Sequence, residues 1–237
     1  MTKLLPKHEA MLATSNWYRR LPPVVRAQVS DHLAVSGRAA SQVLFHQGDP
    51  PTGLHVILSG ELHVTGTAAD GVSTLMGILR PGDWTGFLAV LDGDPYAFTV
   101  AAVIDSEVAC LPIAAVRSIF EGDVATYKLL VAPELMNARR NYHFFLETHG
   151  RSPLKRVAER LMELGRWPYS PRSGPVAPVD VSQDALAAAT RLTRQTINTL
   201  LRDLEARGLV ELGYGRIKVK DATALGKLVR EIDAGDD

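Results

Sequence analysis

Residues 180–219 read D-V-S-Q-D-A-L-A-A-A-T-R-L-T-R-Q-T-I-N-T-L-L-R-D-L-E-A-R-G-L-V-E-L-G-Y-G-R-I-K-V, and this stretch decides the fold of the second half of the chain. Ser182 and Thr193 are good N-cap residues, so they predict that two short helices begin one after the other. Two β-rich runs then follow around a Gly-Tyr-Gly turn at 213–215. Two short helices followed by a hairpin predict a winged helix-turn-helix, a module that places its second helix in the major groove of DNA.

The second predicted helix, 193–207, has one apolar face and one polar face. Ile197, Leu200, Leu201 and Leu204 recur at helical spacing, so that face must be buried. The opposite face carries amides and guanidinium groups, which can pair with base edges at about 1–3 kcal/mol each, and hydroxyls that can reach phosphate. The alternative is a solvated helix face. The predicted DNA contacts, including two phosphate contacts from the hairpin, are Ser182, Thr193, Arg194, Gln195, Thr196, Asn198, Thr199, Arg202, Arg216 and Lys218.

The charges of this 237-residue chain are divided unevenly, although its formal net charge is zero. Residues 1–149 contain 11 Lys/Arg and 14 Asp/Glu, whereas residues 150–230 contain 15 Lys/Arg and 8 Asp/Glu. The last seven residues, 231–237, add four acidic groups, and we predict a solvated tail there. A mildly acidic front half and a basic back half suit a sensing half joined to a DNA-binding half, the alternative being chance segregation.

Composition excludes several classes of protein. The single Cys110 cannot form an internal disulfide and excludes an iron–sulfur cluster, and its apolar surroundings predict a small buried core residue. The histidines lack ligand spacing, so we expect no metal site, and haem is a minor alternative. No catalytic motif occurs, which favours a protein that is not an enzyme. No apolar run is long enough to span a membrane and no signal peptide is visible, so we predict a cytoplasmic protein.

The first half of the chain has a β-rich part and a helical part. Short runs of Val, Ile, Leu and Thr between turn signals predict an antiparallel sandwich or barrel over 41–112. One long helix is predicted over 127–149, and a Gly-Arg-Ser-Pro hinge at 150–153 leads into a further helix over 153–165. Apolar residues recur in the long helix at steps of three and four, which favours pairing in a homodimer over packing against the chain's own core. The residues of this row are Val131, Leu135, Ala138, Tyr142, Phe145 and His149.

Taken together, the chain resembles the Crp/Fnr family of bacterial transcription regulators. The resemblance rests on F-H-Q-G-D (45–49), L-H-V-I-L-S-G-E-L-H-V (54–64), L-R-P-G-D-W-T-G (79–86), R-V-A-E-R-L-M-E-L (156–164) and residues 181–210. It implies an α+β fold: an antiparallel β-roll of the cyclic-nucleotide-binding type that senses an effector (1–124), a dimerisation helix and hinge (125–150), and a C-terminal winged helix-turn-helix (151–237). It also implies a homodimer that binds two-fold-symmetric sites in double-stranded DNA and recruits RNA polymerase.

The chain departs from the family where cyclic nucleotides bind. Cyclic-nucleotide binders of the family carry Gly-Glu and later Arg-Ser or Arg-Thr, whereas this chain has Gly86-Phe87 and Tyr96-Ala97. Because burying a phosphate without a cation is costly, we predict that cyclic AMP is not bound in the usual way. The pocket then either takes an unknown apolar or aromatic effector or is filled. Its predicted residues are Gly82, Asp83, Trp84, Gly86, Phe87, Leu88, Tyr96 and Ala97.

Departures in the helix-turn-helix bear on DNA specificity. Gln195 and Thr199 stand where the family often has Glu and Arg, which predicts an altered half-site. Arg191 occupies the turn position that usually holds Gly. Two alternatives stay open at this point: a cyclic-nucleotide sensor with an output other than promoter binding, and a regulator without an effector.

Overall fold

The computed structural model describes residues 3–148, 152–165, 181–213 and 216–234, with only the helical backbone for 140–148 and 232–234. The chain begins with helix α1 (Pro6–Leu12), a 3-10 turn (Tyr18–Arg20) and helix α2 (Pro23–His32). Both helices have a proline at their first position, where the missing N–H has no helical partner to lose. The Pro22-Pro23 pair therefore starts a helix at Pro23.

The middle of the chain forms a roll of two four-stranded antiparallel sheets. The strands are β1 (Ala34–Arg38), β2 (Val43–Phe45), β3 (Gly53–Ser59), β4 (Leu62–Thr67), β5 (Ser73–Leu79), β6 (Trp84–Thr85), β7 (Thr99–Ala102) and β8 (Ser106–Pro112). One sheet has the order β1-β8-β3-β6 and the other β2-β7-β4-β5. Strand β3 is buried along nearly its whole length, which places it at the centre of this half.

Two apolar cores lie on the two sides of the first sheet. One, inside the roll, contains Phe45, Ile57, Leu79 and Tyr96. The other packs the sheet against the N-terminal helices and against α4 (Ile113–Phe120). A short helix, α3 (Phe87–Asp92), lies between β6 and β7, where no helix was predicted from the sequence.

The long helix α5 spans Val124–Thr148, in agreement with the helix predicted over 127–149, and it contains Pro133. The hinge residues Gly150 and Arg151 lie outside the described residues. Ser152 caps the next helix, α6 (Pro153–Leu164), because its Oγ accepts from the Lys155 N–H.

The C-terminal part contains helices α7 (Gln183–Thr190) and α8 (Arg194–Ala206), strands β9 (Val210–Gly213) and β10 (Arg216–Val219), and helix α9 (Ala222–Ala234). Strands β9 and β10 pair antiparallel. The α+β fold predicted from the sequence is therefore confirmed. The segment from 231 was predicted as a solvated tail; Glu231 is exposed, but the backbone of 231–234 continues helix α9 rather than forming a tail.

Strand β5 of the roll packs against helices α6 and α7. Leu75 and Ile78 belong to the same apolar core as Val157 and Leu161. Two arginines cross this contact in opposite directions: Arg80 donates to the Leu164 carbonyl at 3.4 Å, and Arg160 donates to the Leu75 carbonyl. We call these two contacts the arginine clasp.

Candidate functional site: the DNA-binding helix and the roll cavity

Both helices of the helix-turn-helix begin at the residues predicted to cap them. Ser182 Oγ accepts from the Ala185 N–H at 3.1 Å, and Thr193 Oγ1 accepts from the Thr196 N–H at 3.1 Å. Each cap satisfies a backbone donor that the helix cannot pair internally. The start of α8 is therefore fixed by local sequence.

The turn between α7 and α8 places Arg191 in the left-handed region, with φ 52°. A side chain is strained there, which explains why the family usually has Gly at this position. The Leu192 N–H donates to the Ala187 carbonyl at 3.0 Å, which is the hydrogen bond of a Schellman motif at the end of a helix. Arg156 of α6 donates to the Thr190 carbonyl and so ties the end of α7 to α6.

Helix α8 turns its leucines inward and its polar side chains outward. Ile197, Leu201 and Leu204 are completely buried. Of the predicted DNA contacts, Thr196 and Asn198 are half-buried, and the exposed ones are Ser182, Thr193, Arg194, Gln195, Thr199, Arg202, Arg216 and Lys218. All ten predicted contacts are therefore accessible to solvent.

Two contacts constrain this outward face. The Arg194 guanidinium lies 3.3 Å from the Asp184 carboxylate on α7, and both side chains are exposed. The Thr199 hydroxyl donates to the Gln195 carbonyl at 3.1 Å, which leaves it as an acceptor only. The Arg194 guanidinium must leave the Asp184 carboxylate to reach a base. The Gln195 side-chain amide makes no hydrogen bond with another described residue, and only its backbone carbonyl is used, by Thr199.

The hairpin β9–β10 follows α8 and is joined to it. The Leu212 N–H donates to the Glu205 carboxylate at 2.9 Å. Ile217 and Val219 face the core, while Arg216 and Lys218 alternate with them on the exposed side. This alternation places both cations on the surface of the wing.

The roll and helix α5 form a partly open cavity of about 70 Å³, which we call the roll cavity. Its wall is formed by Phe45, Val64, Thr85, Gly86, Phe87, Leu88, Ala89, Tyr96, Ala97, Phe98, Val100, Glu134 and Asn137. Glu134 and Asn137 come from α5, so the long helix forms part of this wall. No lysine or arginine is among the described residues that line the cavity.

Tyr96 fills the position where a phosphate-binding arginine is expected in cyclic-nucleotide binders of the family. Its ring stacks on Phe45 at 3.8 Å, and its hydroxyl accepts from the Thr52 N–H at 3.0 Å and donates to the Gly53 carbonyl at 3.2 Å. His55 Nε2 lies 3.3 Å from the same hydroxyl. Burial, with a smaller contribution from the charge of Arg38, lowers the pKa of His55 to about 4, so this histidine is neutral at pH 7.

Five of the eight predicted pocket residues line the roll cavity: Gly86, Phe87, Leu88, Tyr96 and Ala97. Gly82, Asp83 and Trp84 do not, which corrects the prediction. Trp84 points to the other side of the sheet, where its ring meets Trp17 at 4.8 Å. Asp83 accepts from the Arg80 N–H at 2.9 Å within the turn, and Gly82 lies beside Thr14. Sequence reasoning missed Glu134 and Asn137, because only the packing of α5 brings them to the cavity.

Two family models match the two halves of the chain. The "Cyclic nucleotide-binding domain" matches residues 38–123, and the "Crp-like helix-turn-helix domain" matches residues 155–228. The chain belongs to the Crp/Fnr family. It is a Crp/Fnr-type transcription regulator with a DNA-binding helix-turn-helix.

Named Crp/Fnr relatives align with nearly the whole chain. The "CRP-like cAMP-activated global transcriptional regulator" of Mycobacterium tuberculosis is 22% identical and covers 94% of this chain and 100% of its own. The "Cyclic AMP receptor protein" of Thermus thermophilus is 26% identical and covers 94% of each. The structure of FixK2 from Bradyrhizobium japonicum shares the fold, with a TM-score of 0.67, 18% identity, and coverage of 83% of this chain and 96% of that one.

The apolar row predicted on the long helix α5 is described only in its first half. Val131 and Ala138 are half-buried, and Leu135 is 59% exposed. The side chains of Tyr142 and Phe145 and the whole of His149 lie outside the described residues.

Three further sequence predictions concern cysteine, metals and membranes. Cys110 is half-buried rather than fully buried, and burial raises the pKa of its thiol to about 11. Within the described ranges, no cluster of three His, Cys, Asp or Glu side chains could hold a metal ion. No helix in the described part of the chain is long and apolar enough to cross a membrane.

Proposed function

We propose that this regulator binds two-fold-symmetric promoter sites as a homodimer and inserts helix α8 into the major groove. The observation that carries the proposal is the division of α8 into a buried leucine face and an accessible face of Arg, Gln, Asn and Thr. Such a face can pair with base edges, while Arg216 and Lys218 of the wing are placed for phosphate. Recruitment of RNA polymerase belongs to the same proposal.

The homodimer is supported by apolar side chains that α5 leaves uncovered. Val124 is 71% exposed and Leu135 59%, although both side chains are apolar, and the aromatic side chain of Tyr127 is 38% exposed. Steps of three and four residues separate Val124, Tyr127, Val131, Leu135 and Ala138, which is the spacing of a helix-pairing seam. A second copy of α5 would cover this row and place two copies of α8 symmetrically.

We also propose that cyclic AMP does not control this regulator in the usual way. A buried phosphate needs a cation, and the described wall of the roll cavity offers one carboxylate, Glu134, and no cation. The cavity volume of about 70 Å³ is roughly half of the 150 Å³ that admits benzene in an engineered protein. Phe45, Phe87 and Tyr96, all buried, supply apolar and aromatic surface to its wall.

Selection of bound fragments from random duplex DNA tests the DNA part of the proposal. We expect enrichment of a site with two-fold symmetry, and footprinting should protect both halves on the same face of the duplex. Enrichment of a single asymmetric half-site would contradict the homodimer, and a failure to enrich any sequence would contradict sequence-specific binding.

The second candidate function is a cyclic-nucleotide sensor, which is favoured by the names of the relatives. Calorimetry with cyclic AMP and cyclic GMP separates the two. We expect no binding heat with the native chain. Tight binding by the native chain would overturn the proposal on cyclic AMP.

A further inference from the structure

Helix α5 contains a backbone carbonyl that its own helix cannot satisfy. Pro133 has no N–H, so it cannot donate to the carbonyl four residues earlier, which is that of Leu129. The indole N–H of Trp17 donates to this same carbonyl at 2.7 Å. A side chain from the N-terminal segment, 112 residues away in sequence, thus replaces the missing helical hydrogen bond.

Trp17 also contacts the wall of the roll cavity. It is 5% exposed, and its ring meets Phe87 edge-on at 5.0 Å and Trp84 at 4.8 Å. Phe87 also lines the cavity. Trp17 is therefore in contact with both the cavity wall and the position of α5 where Pro133 interrupts the helical hydrogen-bond ladder.

We infer that Trp17 is a positioning residue that fixes α5 to the cavity wall through the Leu129 carbonyl. Because interiors are close-packed, a displacement of Phe87 moves Trp17. Moving Trp17 releases the carbonyl and loosens the helix at Pro133, the segment on which the proposed dimer is built. The inference rests on the proposed function for its consequence at DNA, while the contact itself is a property of the single chain.

The test uses four full-length variants: Trp17→Phe, Trp84→Phe, Pro133→Ala, and Trp17→Phe combined with Pro133→Ala. Trp17→Phe keeps a ring in the aromatic cluster and removes the N–H. Trp84→Phe is the matched control, since it removes the same atoms from a neighbouring ring of the same cluster. Pro133→Ala supplies a backbone N–H for the Leu129 carbonyl.

Amide hydrogen exchange over 124–139, followed by mass spectrometry, is the primary measurement, with peptides from β3 reporting global opening. Relative to β3, we expect Trp17→Phe to speed exchange in this segment about fivefold, the effect of one neutral hydrogen bond. Trp84→Phe leaves the Trp17 N–H in place, so it should change the exchange ratio of 124–139 to β3 by less than about twofold. The combined variant should recover a ratio within about twofold of the native chain. Equal ratios in the two tryptophan variants, or no recovery by Pro133→Ala, would overturn the inference.

Operator affinity is the second measurement and tests the consequence. We expect Trp17→Phe to weaken operator binding more than Trp84→Phe does. Adding Pro133→Ala to Trp17→Phe should restore operator affinity. If the native chain selected no duplex at all, the proposed function would fail, while the exchange ratios would still decide the role of Trp17.

Discussion

At the scale of single residues, His55 makes the stability of the roll depend on pH. Its pKa of about 4 in the folded protein lies below the ordinary value of 6.5, so the unfolded chain binds the proton more tightly. Its contribution to stability is complete above pH 6.5 and is lost as pH falls through 6.5 toward 4. The free energy of unfolding should therefore fall by up to about 1.4 kcal/mol per pH unit in this window.

Urea unfolding at a series of pH values measures this slope. His55→Gln keeps a polar group near Tyr96 but cannot be protonated, so its slope should be shallower than that of the native chain. His46→Gln, at an exposed histidine, is the control and should retain the native slope. A native slope in His55→Gln would show that other groups carry the pH dependence.

Residue-scale predictions from sequence succeeded where the physical cause is local. Ser152, Ser182 and Thr193 act as caps because each hydroxyl needs only a backbone N–H three residues ahead. Trp84 was placed at the cavity because it lies two residues before Gly86, yet it points to the opposite side of the sheet. Trp17 could not be assigned at all, since its partner Leu129 is brought near only by tertiary packing.

At the scale of elements, the turn of the helix-turn-helix contains strain that a substitution can release. Arg191 has φ 52°, which costs a residue with a Cβ about 1–2 kcal/mol relative to glycine. Arg191→Gly should raise the free energy of unfolding of the C-terminal part by about 0.5–1 kcal/mol, after glycine's greater loss of chain entropy is subtracted. Arg191→Ala removes the charge but keeps the Cβ, and no stabilisation is expected. Equal stability of the glycine and alanine variants in urea would contradict the strain.

Element prediction followed the strength of the periodic signal. Helix α8 was predicted within a residue or two because its leucine face and its cap agree. Helix α3 was missed because Phe87–Asp92 is short and bounded by glycines, which predicts a turn as readily. Helix α9 was missed because the acidic residues from Glu231 onward suggested a tail, whereas Leu225 is completely buried against α6.

At the scale of the whole molecule, the arginine clasp holds the DNA-binding part against the roll. The Arg160 side chain is 10% exposed, lies 3.1 Å from Glu163 and donates to the Leu75 carbonyl. Arg160→Met keeps the aliphatic volume and removes these bonds, so the two parts should unfold in separate calorimetric transitions, the C-terminal one weakened by about 1–3 kcal/mol. Arg117→Met, at an exposed pair with Glu121, should leave the native profile. A profile for Arg160→Met that matches this control would contradict the role of the clasp.

The order of the two halves and the family could be predicted from the sequence. The sensor motifs and the helix-turn-helix motif each occur once, and their order and spacing along the chain match those of the family. The clasp was not, since nothing in the sequence shows that β5 packs on α6 and α7. The same holds for Glu134 and Asn137, which reach the roll cavity only because α5 lies across it.

The central claim, that α8 contacts the bases, is tested most directly by the affinity for a selected operator of Arg194→Ala combined with Gln195→Ala. Arg207→Ala is the control at equal salt, because it removes an exposed charge at the far end of the same helix. Two lost base contacts of about 1–3 kcal/mol each should weaken binding at least about thirtyfold, and the control should stay close to the native chain. Binding by the double variant within twofold of the native chain would contradict the account.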